Sequence, residues 1–235
     1  TSLTGTEPAS GSPDLYGRSF AAAPPATLAG FAGNRVVWGE APVLTITAGS
    51  GTRIYGGAAA RLGYTLSGLR DGDGAGTALD SAPTVSSAGN ALDADAGAYA
   101  TKATASASAQ GYQLVFVDGA LDVTPAPLTI TPFGNRVYGG ATNTYAPRFA
   151  GLVAGDTPDD LDGTLTFTTP ATQTSNVGAY TLRGAGVSSG NYVIGYETGT
   201  LTITPAPLNI TVNDATRRFG AANPIFSATY DGFVL

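Results

Sequence analysis

One phrase occurs twice in the chain, eighty residues apart: Gly119 to Leu128 reads Gly-Ala-Leu-Asp-Val-Thr-Pro-Ala-Pro-Leu, and Gly199 to Leu208 reads Gly-Thr-Leu-Thr-Ile-Thr-Pro-Ala-Pro-Leu. In each copy apolar and polar residues alternate, as in Leu201, Thr202, Ile203 and Thr204. That is the period of a strand with one buried face. The two prolines of Pro-Ala-Pro remove backbone donors and favour extended geometry, so the ladder is expected to stop there while the chain runs on straight. A second alternating run follows at once, Leu128-Thr129-Ile130-Thr131 and Leu208-Asn209-Ile210-Thr211. The last strand of one unit thus joins the first strand of the next through a short stiff spacer.

Independent anchors give the same period. The strands opened by Leu44, Leu128 and Leu208 are separated by 84 and 80 residues. The turns Tyr55-Gly56, Tyr138-Gly139 and Phe219-Gly220 lie 83 and 81 apart. The 235 residues therefore read as an array and not as one large domain. The expected organisation is a junction or the end of a preceding unit over 1–42, repeats over 43–126 and 127–206, and an incomplete repeat over 207–235. The fold class expected is all-β, with at most a short helical turn per repeat, as small antiparallel β domains arranged end to end.

In the second repeat, glycine and proline punctuation marks off strands at Leu128 to Thr131, Asn143 to Ala150, Thr164 to Thr169, Ala179 to Arg183, Tyr192 to Tyr196 and Leu201 to Thr204. Between the second and third, Thr157-Pro158-Asp159-Asp160 reads as one helical turn with Thr157 as its cap. The first repeat has Asp71-Gly72-Asp73-Gly74 there, a looser loop. Its alanine-rich run from Ala98 to Ser108 alternates and matches Ala179 to Val187, which makes it a strand. Residues 1–42 read as a linker or, more strongly, as the end of a different preceding unit, since a linker rarely spends Phe20, Phe31, Val36, Val37 and Trp38. A third of a small sheet cannot close its own core, so the chain is expected to be a mature fragment that continues, with any export signal outside it.

Composition narrows the function. The 33 glycines, 15 prolines and 12% charged residues suit turns and strands. With no cysteine, each unit must hold by packing alone. A net charge of -6 and no basic cluster argue against nucleic acid. No apolar run approaches the ~20 residues of a membrane span.

Together these features resemble the MBG family, the mostly-beta, glycine-rich repeats of large bacterial surface adhesins, including filamentous-haemagglutinin-like proteins exported by two-partner secretion. The resemblance rests on Leu-Thr-Ile-Thr, the Tyr-Gly after it, Gly151-Leu152-Val153-Ala154-Gly155-Asp156, Val177-Gly178-Ala179-Tyr180, Gly190-Asn191-Tyr192 and the Pro-Ala-Pro junction, and covers Val43 onward. The first repeat departs from it at Gln110-Gly111-Tyr112. The resemblance implies a secreted or cell-surface protein, a role in adhesion or biofilm cohesion, no enzymatic activity and no required cofactor.

Catalysis has little to draw on. The absence of His and Cys removes the commonest base, the usual nucleophile pairs and the usual zinc ligands. A Ser-Lys arrangement would need the single lysine, Lys102, on the polar face of a strand. The acidic loops are the best candidates for a ligand: Asp71 and Asp73 in one repeat, and Asp156, Asp159, Asp160 and Asp162 in the other, offer hard oxygens to calcium. Against this stands the stronger reading that they serve turns and helix caps. The tyrosines Tyr55, Tyr99, Tyr112, Tyr138, Tyr180 and Tyr192 invite stacking on sugars, but their recurrence in register favours core and corner roles. The function read from the sequence is a structural stalk or fibre repeat. Its alternatives are a glycan-binding module and a fibre subunit that self-assembles by strand addition, with other copies of itself or surface polysaccharide as partners.

Overall fold

The computed structural model describes residues 39–234 apart from positions 71, 106, 142 and 154. The segment read as the end of a preceding unit, with Trp38, lies almost wholly outside the described residues. The chain divides into two compact units at Pro125/Ala126.

The first unit contains β1 (Val43–Ala48), β2 (Gly51–Ile54), β3 (Tyr64–Ser67), a short helix α1 (Ala75–Ala78), β4 (Thr84–Ser86), a 3-10 turn (Ala88–Asn90), β5 (Gly97–Thr104), β6 (Gln113–Val117) and β7 (Gly119–Thr124). Two sheets result, ordered β3-β1-β6 and β2-β7-β5-β4. Leu44, Ile46 and Ala48 alternate inward along β1 and pack with Leu79, Ala103 and Tyr112. Polar neighbours on the same strand face outward, as the period of two requires.

The second unit repeats the plan. Its strands are β8 (Ala126–Val137), β9 (Thr144–Ala150), β10 (Asp162–Thr168), β11 (Gly178–Ser188), β12 (Tyr192–Tyr196) and β13 (Gly199–Thr204), with a 3-10 turn at Pro158–Asp160. The six expected strands and the turn capped by Thr157 are all present. Here β8 does the work of β1 and β2 in one run: residues 126–130 pair with β12, and residues 133–137 with β13. The change of partner falls at Pro132, whose carbonyl lies so close to Gly199 that a Cβ there would sit 1.5 Å from its oxygen. Gly119 approaches the Ala48 carbonyl in the same way at the β1/β2 break, where a Cβ would stand 2.4 Å away. Only glycine lets the backbones come that near.

Pairing is antiparallel in β1 with β3, β5 with β7, β10 with β11, and β11 with β13. It is parallel in β1 with β6, β2 with β7, β8 with β12, and β8 with β13. The sheets are therefore mixed, where small antiparallel ones were expected. The last two strands of each unit return across its body to lie beside the first, and a strand that returns by crossover runs parallel to its neighbour.

The first junction also differs from expectation. Only Pro125 separates β7 from β8; Ala126 already donates its N–H to the Asn191 carbonyl at 2.9 Å. Pro127 is tolerated in β8 because alternate residues donate to opposite sides, and pairing with β9 begins only at Thr129.

After Thr204 the chain forms β14 (Asn209–Val212) and β15 (Ala228–Asp231), an antiparallel pair. Leu208 and Ile210 are 45% and 58% exposed, whereas Leu128 and Ile130 at the same places in the second unit are 1% and 0% exposed.

Candidate functional site

Of the aspartates singled out as calcium candidates, Asp73, Asp156 and Asp160 accept hydrogen bonds within the fold. Asp73 accepts hydrogen bonds from the Tyr112 hydroxyl at 2.5 Å and from Gln110 Nε2 at 2.7 Å. In the second unit Asp156 accepts from the Tyr192 hydroxyl at 2.5 Å. Each hydroxyl in turn accepts a backbone N–H at 3.0 Å, from Arg70 and from Val153 respectively. Tyr112 and Tyr192 are both 5% exposed. A buried phenol must find partners for its polar end, and the loop after β3 in the first unit, or after β9 in the second, supplies both. The result is a clip that fastens that loop onto the strand beginning at β6 or β12.

Asp160 Oδ2 accepts from the Thr157 N–H at 2.7 Å and from its hydroxyl at 2.9 Å, closing the 3-10 turn. These bonds, the backbone one first, hold the Asp160 carboxyl below the ordinary aspartate range. Asp159 lies in the same turn, and Asp162 opens β10. Asp71 lies outside the described residues. Among the described residues no three His, Cys, Asp or Glu side chains come together as a set able to hold a metal ion.

Two arginines escaped the sequence reading. Arg53 and Arg136 are each only 6% exposed. Arg53 donates to the carbonyls of Gly89, Ala91 and Gly57 at 3.0, 2.6 and 3.0 Å, and Arg136 to Thr172 at 2.7 Å. A guanidinium with its donors in a fixed fork suits carbonyls arriving from several loops. The signal was in the sequence: an arginine stands two residues before each of the three turns spaced by the repeat, Arg53 before Tyr55, Arg136 before Tyr138 and Arg217 before Phe219. Arg217 donates to Ala221 at 2.7 Å, the same four-residue reach as Arg53 to Gly57.

Lys102 lines a groove of about 280 Å³ with Ser86, Ser87, Ala88, Tyr99 and Ala100. Ser86 and Lys102 are directly opposed across β4 and β5. A lysine base needs desolvation, and Lys102 is exposed. Ser87 Oγ is committed to the Ala100 carbonyl at 2.9 Å and caps the 3-10 turn through the Gly89 N–H at 3.3 Å. The groove is a seam of the fold with no assembled nucleophile.

The recurring tyrosines behave as core and corner residues. Tyr55 is buried, Tyr138 and Tyr180 pack against the cluster of Leu182, Leu201 and Ile203, and Tyr99 and Tyr180 donate to Asp95 and Asn176 carbonyls at 3.0 and 2.9 Å. In the turn after Tyr55 and Tyr138, Gly56 and Gly139 take φ of 64° and 75°, and Gly57 and Gly140 each donate back to the turn's first residue at 2.9 Å. Positive φ explains the fixed glycine.

The sequence matches the MBG domain, YGX type, twice, over residues 44–122 and 128–202. This chain belongs to the MBG family. The Tyr-Gly-x turn is the corner just described, and the two MBG matches fall on the two β-units that share one strand plan. MBG domains occur as repeat modules of extracellular surface proteins. No curated protein matches the chain. Among the described residues no helix is long and apolar enough to cross a membrane.

Proposed function

We propose that this chain is a run of structural MBG modules in the stalk or fibre of a secreted or cell-surface bacterial adhesin of the filamentous-haemagglutinin-like kind. Its work is adhesion or biofilm cohesion and not catalysis. The modules extend over 43–126 and 127–206, with a third begun over 207–235 and a different unit ending at 1–42. The observation that carries the reading is duplication: two modules with the same strands, clips and buried arginines follow each other with a single proline between their strands. Polar side chains that recur serve the fold, which leaves length as what a further copy adds. One contact supports stacking of a third module: Val234, beyond β15, sits where a Cβ on Gly139 of the Tyr-Gly turn would be, 2.4 Å from its own. Other copies of the chain, or surface polysaccharide, are the partners this reading implies.

The test is reach and place. A compact module of eighty residues is ~30 Å across and a single globule of both together ~40 Å. Small-angle scattering from residues 43–206 should give a maximum dimension of about 60 Å or more, and antibodies to the modules should label intact producing cells. A dimension near 40 Å, or label only after lysis, contradicts the proposal.

Strand addition is a second reading favoured by one observation, the exposed Ile210 on β14 and the exposed Leu208 just before it. A second copy's strand would then complete the sheet. Concentration-dependent polymers that vanish in Ile210→Asp would support it; a monomer at all concentrations would contradict it.

A further inference from the structure

The strand order points to a property that duplication alone does not require. In the second module the first strand and the last are direct neighbours and run parallel, Phe133 to Val137 beside Thr200 to Thr204, and in the first module β2, which follows β1 after two residues, lies in the same way beside the last strand, Gly51 to Ile54 beside Leu121 to Thr124. A chain pulled from its two ends draws the start of β8 one way and the end of β13 the other. Thr204 lies opposite Val137, at the far end of β8 from Ala126. The pull therefore runs along both strands and loads their ladder in shear, every hydrogen bond at once. Antiparallel terminal strands would open from one end, a bond at a time.

We infer that each MBG module is a tensile clamp, a unit built to stay folded under a pull along the chain. Three further features serve it. The N-terminal half of β8 is held by a second parallel partner, β12, and along residues 129–135 by antiparallel β9, so sliding β8 out must break three ladders. The ladder is extended past its ends by Tyr55 N–H to the Thr124 carbonyl and Tyr138 N–H to the Thr204 carbonyl, both 2.8 Å. Finally, Arg53 and Arg136 stand on the clamped strands themselves and tie them to the carbonyls of the 89–91 and 172 loops. This gives the arginines missed in the sequence a purpose: they resist sliding of the strand that carries the load. Resistance to forced unfolding is a matter of the barrier, not of equilibrium stability, so the clamp shows in rupture force and not in a melting temperature.

The inference deepens the stalk reading and rests on it only for purpose. The chain has no cysteine, so engineered pairs are unique attachment points. Pro125, Gln173 and Pro207 are exposed. Pro125→Cys with Pro207→Cys pulls the second module along β8 and β13. Gln173→Cys with Pro207→Cys pulls near the Gly178/Ile203 end of the antiparallel β11–β13 pair and peels it. In single-molecule pulling at one loading rate, the first geometry should need at least twice the rupture force of the second, and Arg136→Ala should lower the first force. Equal forces, or a weaker first geometry, would overturn the clamp. Failure of the stalk reading would appear instead as absence from the cell surface, with the force ratio untouched.

Discussion

Tyr112 and Tyr192 show how a buried polar group is made safe. Each phenol reaches the core only because a carboxylate and a backbone N–H meet its oxygen, through Asp73 and Arg70 in one module and Asp156 and Val153 in the other. Tyr192→Phe removes a hydrogen bond to a charged acceptor and leaves the Val153 N–H and one Asp156 oxygen to find water. The expected cost is about 1–3 kcal/mol, read as an earlier urea midpoint for the second module with an unchanged slope. Asp160 is the opposite kind of acid, exposed and used as a cap. Because its folded-state pKa is depressed, what the cap contributes is complete above the ordinary aspartate value and is lost as pH falls through the lower folded value. Thr157→Ala takes away the hydroxyl donor but not the backbone one, so an NMR titration should find the Asp160 midpoint moved part of the way back up.

At the scale of the element, the decisive event is the exchange of partners along one strand. β8 gives up β12 and takes β13 at Pro132, and Gly199 is the residue that must fit there. Gly199→Ala places a methyl group inside the Pro132 carbonyl, so one of the two strands has to move. A loss of at least about 3 kcal/mol is expected, with weakened hydrogen-exchange protection along β13 before the rest of the module. Leu201→Ala on the same strand, fully buried, should cost about 2–5 kcal/mol through the cavity it leaves, while keeping the pairing.

How much of this was legible beforehand follows from what a local pattern can encode. Leu44 and Ile46, Leu128 and Ile130, and Leu201 and Ile203 alternate with polar residues, and burial on one face is a local matter, so the strands were readable. The choice of partner was not. Nothing in Leu201 to Thr204 says that it will lie parallel to Phe133 to Val137, since that register is set by the returning crossover. Arg53 finds its carbonyls 36 and 38 residues away at Gly89 and Ala91, and Asp73 receives its tyrosine from 39 residues away. Asp-Gly turn chemistry was visible at these loops; the phenol that lands on them belongs to tertiary structure.

For the molecule as a whole, the central expectation is that each MBG module closes its own core, so that an array of them can be lengthened or shortened without refolding its members. Leu44, Ile46 and Ala48 pack within the first module, and Leu182, Leu201 and Ile203 within the second. With no disulfide in the chain, this packing is what must hold each one. The most direct test is to express residues 43–125 and 126–206 separately, cut where the two units divide, and compare their amide NMR spectra with that of the whole chain. The account predicts that each fragment folds alone and that its strand resonances overlay those of the parent, with changes confined to the residues next to the cut. Fragments that are unfolded in isolation, or that regain their spectra only when mixed, would contradict it.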